Sequence, residues 1–153
     1  MRCLLVAILS ASLLSAVAPG VAAETTVRVG WCSRTVTSAA APFAIATKLG
    51  WYAKDGIKVE LVPLPGSTDC VKNVATKEVT YSLPSVEPLA IIRPQGVKAL
   101  NFYTAYQGNI YGIRVPEDSP IKSFADLKGK TIGVTSMASA GVIIARALAK
   151  TNG

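Results

Sequence analysis

The chain has 153 residues, half of them hydrophobic and 16% charged, with a formal charge of +7 and no histidine. That balance excludes a disordered or fibrous chain and requires a packed core. The missing histidine excludes an imidazole base and every His-ligated metal site.

Residues 1–23 read as a targeting segment. Met1-Arg2 gives a positive start, Cys3 to Ala18 is almost wholly apolar or small, and Val21-Ala22-Ala23 follows Pro19-Gly20 with small residues at a cleavage site. This is the grammar of a secretory signal peptide cleaved after Ala23, its apolar core shorter than the ~20 residues of a membrane span. An uncleaved N-terminal anchor is the other reading of the segment. The expected mature chain is exported and soluble, with 130 residues, and it loses only Arg2 among the cations. Fifteen Lys and Arg then stand against nine Asp and Glu, spread singly from Arg28 to Lys150. A nucleic-acid footprint would cluster them, so no nucleic-acid partner is expected. The charge suits an anionic ligand or an anionic membrane surface. Cys32 and Cys70 remain after cleavage, and an oxidising compartment lets such a pair persist as a disulfide where geometry permits.

The mature chain alternates strand and helix. Thr26–Cys32 reads as a strand. Ala40–Asp55 reads as a helix with Pro42 in its first turn and Ile45, Leu49 and Tyr52 on one face, stopped by Asp55-Gly56. Ile57–Val62 alternates apolar and polar residues at the strand period. After the Pro63–Gly66 turn, Ser67, Thr68 and Asp69 are N-cap candidates for a short helix marked by Val71, Val74 and Ala75. Val79–Leu83 is a further strand, Ser85 caps a helix through Ile92, and Val97–Thr104 is a fourth strand. This β-α-β-α-β-α-β order predicts an α/β fold, a parallel sheet flanked by helices.

A second unit opens beyond Gln107. Asn109–Val115 reads as extended, Ser123–Leu127 as one helical turn, and Thr131–Val134 as a strand. Ser136 or Ser139 then caps a last helix through Thr151. One strand and one helix cannot bury their own apolar faces, so the pair either packs on the first sheet or begins a larger, interrupted lobe. Truncation is the favoured expectation. The resulting division is a leader over 1–23, a first α/β lobe over 24–106, and a hinge with the beginning of a second α/β lobe over 107–153.

Four segments in this order carry a family resemblance: VRVGW, LGWYAKDGIKVELVPLPG, YSLPSVEPL and SPIKSFADLKGKTIGVTSMASAG. Together they resemble the substrate-binding proteins of ABC importers, in the branch that includes aliphatic-sulfonate, nitrate and thiamine-precursor binding proteins. The resemblance runs from Val27 to Gly153. It implies a periplasmic-binding-protein-like fold, two α/β lobes joined by hinge strands and closing on a solute between them. It also implies a periplasmic protein that delivers a small-molecule solute to an ABC transporter permease, with no cofactor and no covalent chemistry. Such proteins are longer than this chain, which matches the first lobe and the start of the second.

In an open parallel sheet, ligands sit beyond the carboxyl ends of the strands. Here those ends are Trp31–Thr35, Pro65–Asp69 and Ser82–Glu87, with Thr135–Ser139 across the cleft. Helix N-termini there favour a carboxylate, sulfonate or phosphate. Gly66 and the hydroxyls of Ser67, Thr68, Ser85, Ser136 and Ser139 are ligand candidates, though each hydroxyl also serves as an ordinary cap. Trp31 is placed to stack on a planar ligand or to pack on the sheet. Arg34 can grip an anion with two hydrogen bonds or remain a solvated loop residue. Glu87 suits the helix dipole or a ligand amine. Cys32 joins the candidate ligand residues by its place in the first loop. Tyr103 and Tyr106 lie at the crossing between lobes. Because the first two strands should be neighbours, the expectation for Cys32 and Cys70 is a disulfide across the rim of the cleft.

Two other readings stay open. Some members of the superfamily are enzymes, including a desulfinase with a cysteine nucleophile. Cys32 occupies a suitable loop, but without histidine only Arg34 or a helix N-terminus would help form its thiolate. The other is a cut-short product with no function of its own.

Overall fold

The structure, a computed structural model, describes residues 23–152. The expected leader lies outside the described residues, save Ala23. Three parallel strands form the sheet: β1 (Thr25–Trp31), β2 (Ile57–Pro63) and β3 (Tyr81–Ser82), ordered β2-β1-β3. β1 pairs with β2 from Thr25 opposite Ile57 to Trp31 opposite Pro63. Its other edge meets β3 at Val29–Tyr81 and Gly30–Ser82. A parallel ladder needs a crossover to return the chain to the same end, and helices supply it here.

Those helices are α1 (Ala41–Lys48), α2 (Trp51–Lys54), α3 (Ser67–Ala75), α4 (Val86–Ile92) and α5 (Ala140–Thr151). The architecture is the expected α/β fold. α3 packs on β1 and β3, α4 on α3, and α5 on α4. Val29, Cys70, Val71 and Val79 are buried in the first of these layers, and Leu89, Ala140 and Val142 are buried further along. Among the described residues, no helix is long and apolar enough to cross a membrane.

The helix expected over Ala40–Asp55 is divided. A 3-10 turn at Ser38–Ala40 leads into α1, and Gly50 separates α1 from α2 at φ 68°, a left-handed conformation that suits glycine. The break resets the helical register, so the spacing of Ile45, Leu49 and Tyr52 does not define one buried face. Ile45 and Leu49 are exposed and Ala46 is the buried residue of α1. α1 lies over β2, an edge strand, so part of its apolar stripe faces outward.

Two expected strands do not form. Val97–Thr104 and Thr131–Val134 run as irregular backbone, and the strand at Val79–Leu83 shortens to Tyr81–Ser82. Strand propensity becomes a strand only when a neighbour takes up its hydrogen bonds. Leu100 and Phe102 accordingly stay exposed, with the Phe102 ring 5.6 Å from that of Tyr81. The single turn expected at Ser123–Leu127 is a 3-10 turn at Ala125–Leu127.

Candidate functional site

The carboxyl ends of β1, β2 and β3 lie at one end of the sheet, because all three strands run in the same direction. Each end leads into a loop that turns back toward a helix. Gly66, not Ser67, Thr68 or Asp69, is the N-cap of α3, and no side chain caps that helix. Ser67 is instead buried in the first turn, where its Oγ accepts the Ser85 amide at 3.2 Å. That bond ties the start of α3 to the N-cap of α4. The Ser85 hydroxyl is in turn hydrogen-bonded to the Tyr111 hydroxyl.

A third element closes on the same place. The Thr68 amide donates to the Ala138 carbonyl at 3.2 Å. A Cβ built on Gly66 would stand 2.5 Å from that carbonyl oxygen, so the two backbones meet without room for a side chain. The loop before α5 is held by its own serines: Ser136 Oγ accepts the Ala138 amide at 3.1 Å, and Ser139 Oγ accepts the Gly141 amide at 3.3 Å as the N-cap of α5. Gly141 in turn leaves room for Tyr111, whose ring would lie 3.0 Å from a Cβ there. Asn109 holds the backbone of Tyr111 from both sides, its Oδ1 accepting the Tyr111 amide and its Nδ2 donating to the carbonyl, each at 3.0 Å.

Of the candidate residues, Gly66, Ser67, Thr68, Ser85 and Ser139 thus come together in one polar cluster. Ser136 supports it from within its loop. Glu87 lies in the first turn of α4, and its Oε2 is shielded from solvent without a hydrogen-bond partner. Trp31 turns over its own loop, its indole Nε1 donating to the Thr35 carbonyl at 2.9 Å. Arg34 is exposed and takes part in none of these contacts. Tyr103 and Tyr106 are also exposed.

Cys32 and Cys70 are joined by a disulfide, with their Cα atoms 5.7 Å apart. It links the residue after β1 to the second turn of α3 and so fixes α3 against the strand end beside the cluster. Cys70 is fully buried. Tyr111 is the member that sequence reasoning missed. Its one local signal is an aromatic residue between Gly108-Asn109 and Gly112, in a segment read only as extended.

A parallel α/β lobe with hydroxyls and backbone amides gathered at its strand ends belongs to a class of sheet folds that place ligands there. The comparison of sequences gives the family: residues 37–153 match the model described as NMT1/THI5 like, and the chain belongs to that family. The fold is that of a periplasmic-binding-protein-like first lobe. A curated relative, the riboflavin-binding protein RibY of Chloroflexus aurantiacus, is 29% identical over 97 residues. The match covers 61% of this chain and 27% of the relative, so the chain spans well under half of that protein's length. No solved structure matches the chain significantly. The relative's name is that of a solute-binding protein.

Proposed function

We propose that this chain is solute-binding polypeptide of an extracytoplasmic binding protein that serves an ABC importer. It takes a small heteroaromatic solute of the flavin or pyrimidine kind at the strand ends and releases it unchanged to a membrane permease. The observation that carries this reading is the convergence of Gly66–Thr68, Ser85, Tyr111 and Ala138–Gly141 at the carboxyl end of a parallel sheet. The relative's name supports a flavin, and the resemblance to thiamine-precursor binding proteins supports a pyrimidine or related solute. Export by way of residues 1–23 to the periplasm is part of the proposal, and a disulfide suits an oxidising compartment. The desulfinase-like alternative requires a free Cys32 thiolate, whereas Cys32 is bonded to Cys70.

The test is fluorescence titration of the secreted chain, residues 24–153, with riboflavin, cytosine, ethanesulfonate and nitrate, followed by mass analysis of the recovered solute. Saturable binding and an unaltered solute are expected. Chemical conversion of the solute, or no saturable binding of any of the four, would refute the proposal.

A further inference from the structure

β2 lies at one side of the sheet, and its outer edge has no strand beside it among the described residues. In the ladder with β1, the Thr25 amide donates to the Gly56 carbonyl and the Leu64 amide to the Trp31 carbonyl. With the register between those two bonds, Lys58, Glu60 and Val62 turn their backbone groups toward β1, whereas Ile57, Val59 and Leu61 turn theirs to the free edge. On the face under α1, Val59 and Leu61 line a largely apolar groove with Val36, Phe43 and Ala44. Lys58 and Glu60 are exposed on the opposite face, where Glu60 lies 4.0 Å from Arg28.

A free strand edge is a template for another strand, and this one is complementary to itself. Consider two copies of β2 paired antiparallel about a two-fold axis. A two-fold on Lys58 or on Glu60 sets like charges directly opposite, which is unfavourable. On Leu61 it places Val59 against Pro63, which has no N–H to donate. On Ile57, where the strand begins, almost no strand overlaps. On Val59, the outward amides and carbonyls of Ile57, Val59 and Leu61 all find partners. Lys58 of each copy then faces Glu60 of the other at a closely spaced pair, with Cα atoms ~4.5 Å apart. Each Glu60 gains a cation on its open side, opposite its own Arg28. The apolar grooves beside Val59 and Leu61 come together on the α1 face. We infer that the β2 edge is a self-association surface, whose partner is a second copy of this chain paired antiparallel about Val59. The inference stands apart from the solute-binding reading, which concerns the strand ends.

Sedimentation of the secreted chain over a concentration series tests it, with melting curves to establish that each variant is folded. Wild type is expected to dimerise. Lys58→Glu and Glu60→Lys each set like charges across the axis and should weaken the dimer roughly tenfold or more. The double variant Lys58→Glu/Glu60→Lys should regain it, and the two single variants, when mixed, should pair with each other. Val59→Pro removes an N–H that points away from β1, so the sheet tolerates it while the dimer is lost. A wild type that stays monomeric up to about 1 mM would overturn the inference, since a dimer weaker than that has no useful affinity. So would a dimer that survives in folded Val59→Pro, or one indifferent to both single charge reversals.

Discussion

Thr68 donates its amide to the carbonyl of Ala138 at 3.2 Å, joining the first turn of α3 to the loop that starts α5, two segments seventy residues apart. The contact depends on Gly66 next to it. A Cβ at Gly66 would fall 2.5 Å from that oxygen and 2.9 Å from the Ser139 amide nitrogen, both of them backbone atoms. Backbone gives way less readily than a flexible side chain. Gly66→Ala is therefore expected to push the Ser136–Ser139 loop off α3, at a cost of about 1–3 kcal/mol as in other overpacked sites. Urea denaturation checks the stability, and faster exchange of the Thr68 amide checks the mechanism.

The disulfide between Cys32 and Cys70 closes a loop across a sequence separation of 38 that contains α1, α2 and β2. In the chain-entropy account, such a link restricts the unfolded chain and stabilises the fold by about 2–4 kcal/mol. Replacing both cysteines by serine should lower stability by that order and lower the denaturation midpoint. Reductant should do the same to the wild-type chain and nothing to the double variant. A wild-type midpoint unchanged by full reduction would count against the bond's stabilising role.

Much of the lobe was legible from residue periodicity. The alternation in Ile57–Val62 and the β-branched run in β1 give strands that pair in parallel, and the apolar spacing after Ser67 and Ser85 gives α3 and α4. Val97–Thr104 has the same strand propensity without the outcome, because propensity does not say whether a neighbouring edge is there to receive the hydrogen bonds. Ser67 was recognisable as a hydroxyl at a strand end, but its partner was not: as a local cap it would have served its own helix, whereas it accepts an amide eighteen residues away. Tyr111 was illegible for the same reason. Its contacts with Ser85 and Gly141 are tertiary, and the nearby glycines that set it apart locally do not reveal them.

Asp126 supplies a pH-dependent contact away from the site. Its carboxyl is held below the ordinary aspartate range by the Lys122 amide first, then by the Ser123 hydroxyl and the Ser123 amide, against a smaller opposing effect of burial. The three donors lie 2.8–3.0 Å from Oδ2. Because the folded value lies below the unfolded one, the contribution is fully present above the unfolded pKa. It is lost as pH falls through the folded pKa. Titration of the Asp126 carboxyl followed by NMR should give a midpoint below the ordinary aspartate range. The Lys122 and Ser123 amide signals should move with it, and in Asp126→Ala that acid transition should vanish from both amides.

Tyr111 offers a way to separate the framework of the cluster from its packing. Its hydroxyl meets Ser85 Oγ, while its ring lies over Gly141 and its backbone is held by Asn109. Tyr111→Phe removes only the hydroxyl contact, so it should cost about 1 kcal/mol, the usual net value of a neutral hydrogen bond. Tyr111→Ala also removes the ring beside Gly141. Since Tyr111 is only half-buried, its loss should exceed that of the phenylalanine variant yet stay below the ~3–5 kcal/mol of truncating a fully buried aromatic. Chemical denaturation of both variants checks the order. Equal losses would mean that the hydroxyl alone ties Tyr111 to the lobe, and a neutral Tyr111→Phe would place the whole effect in the ring.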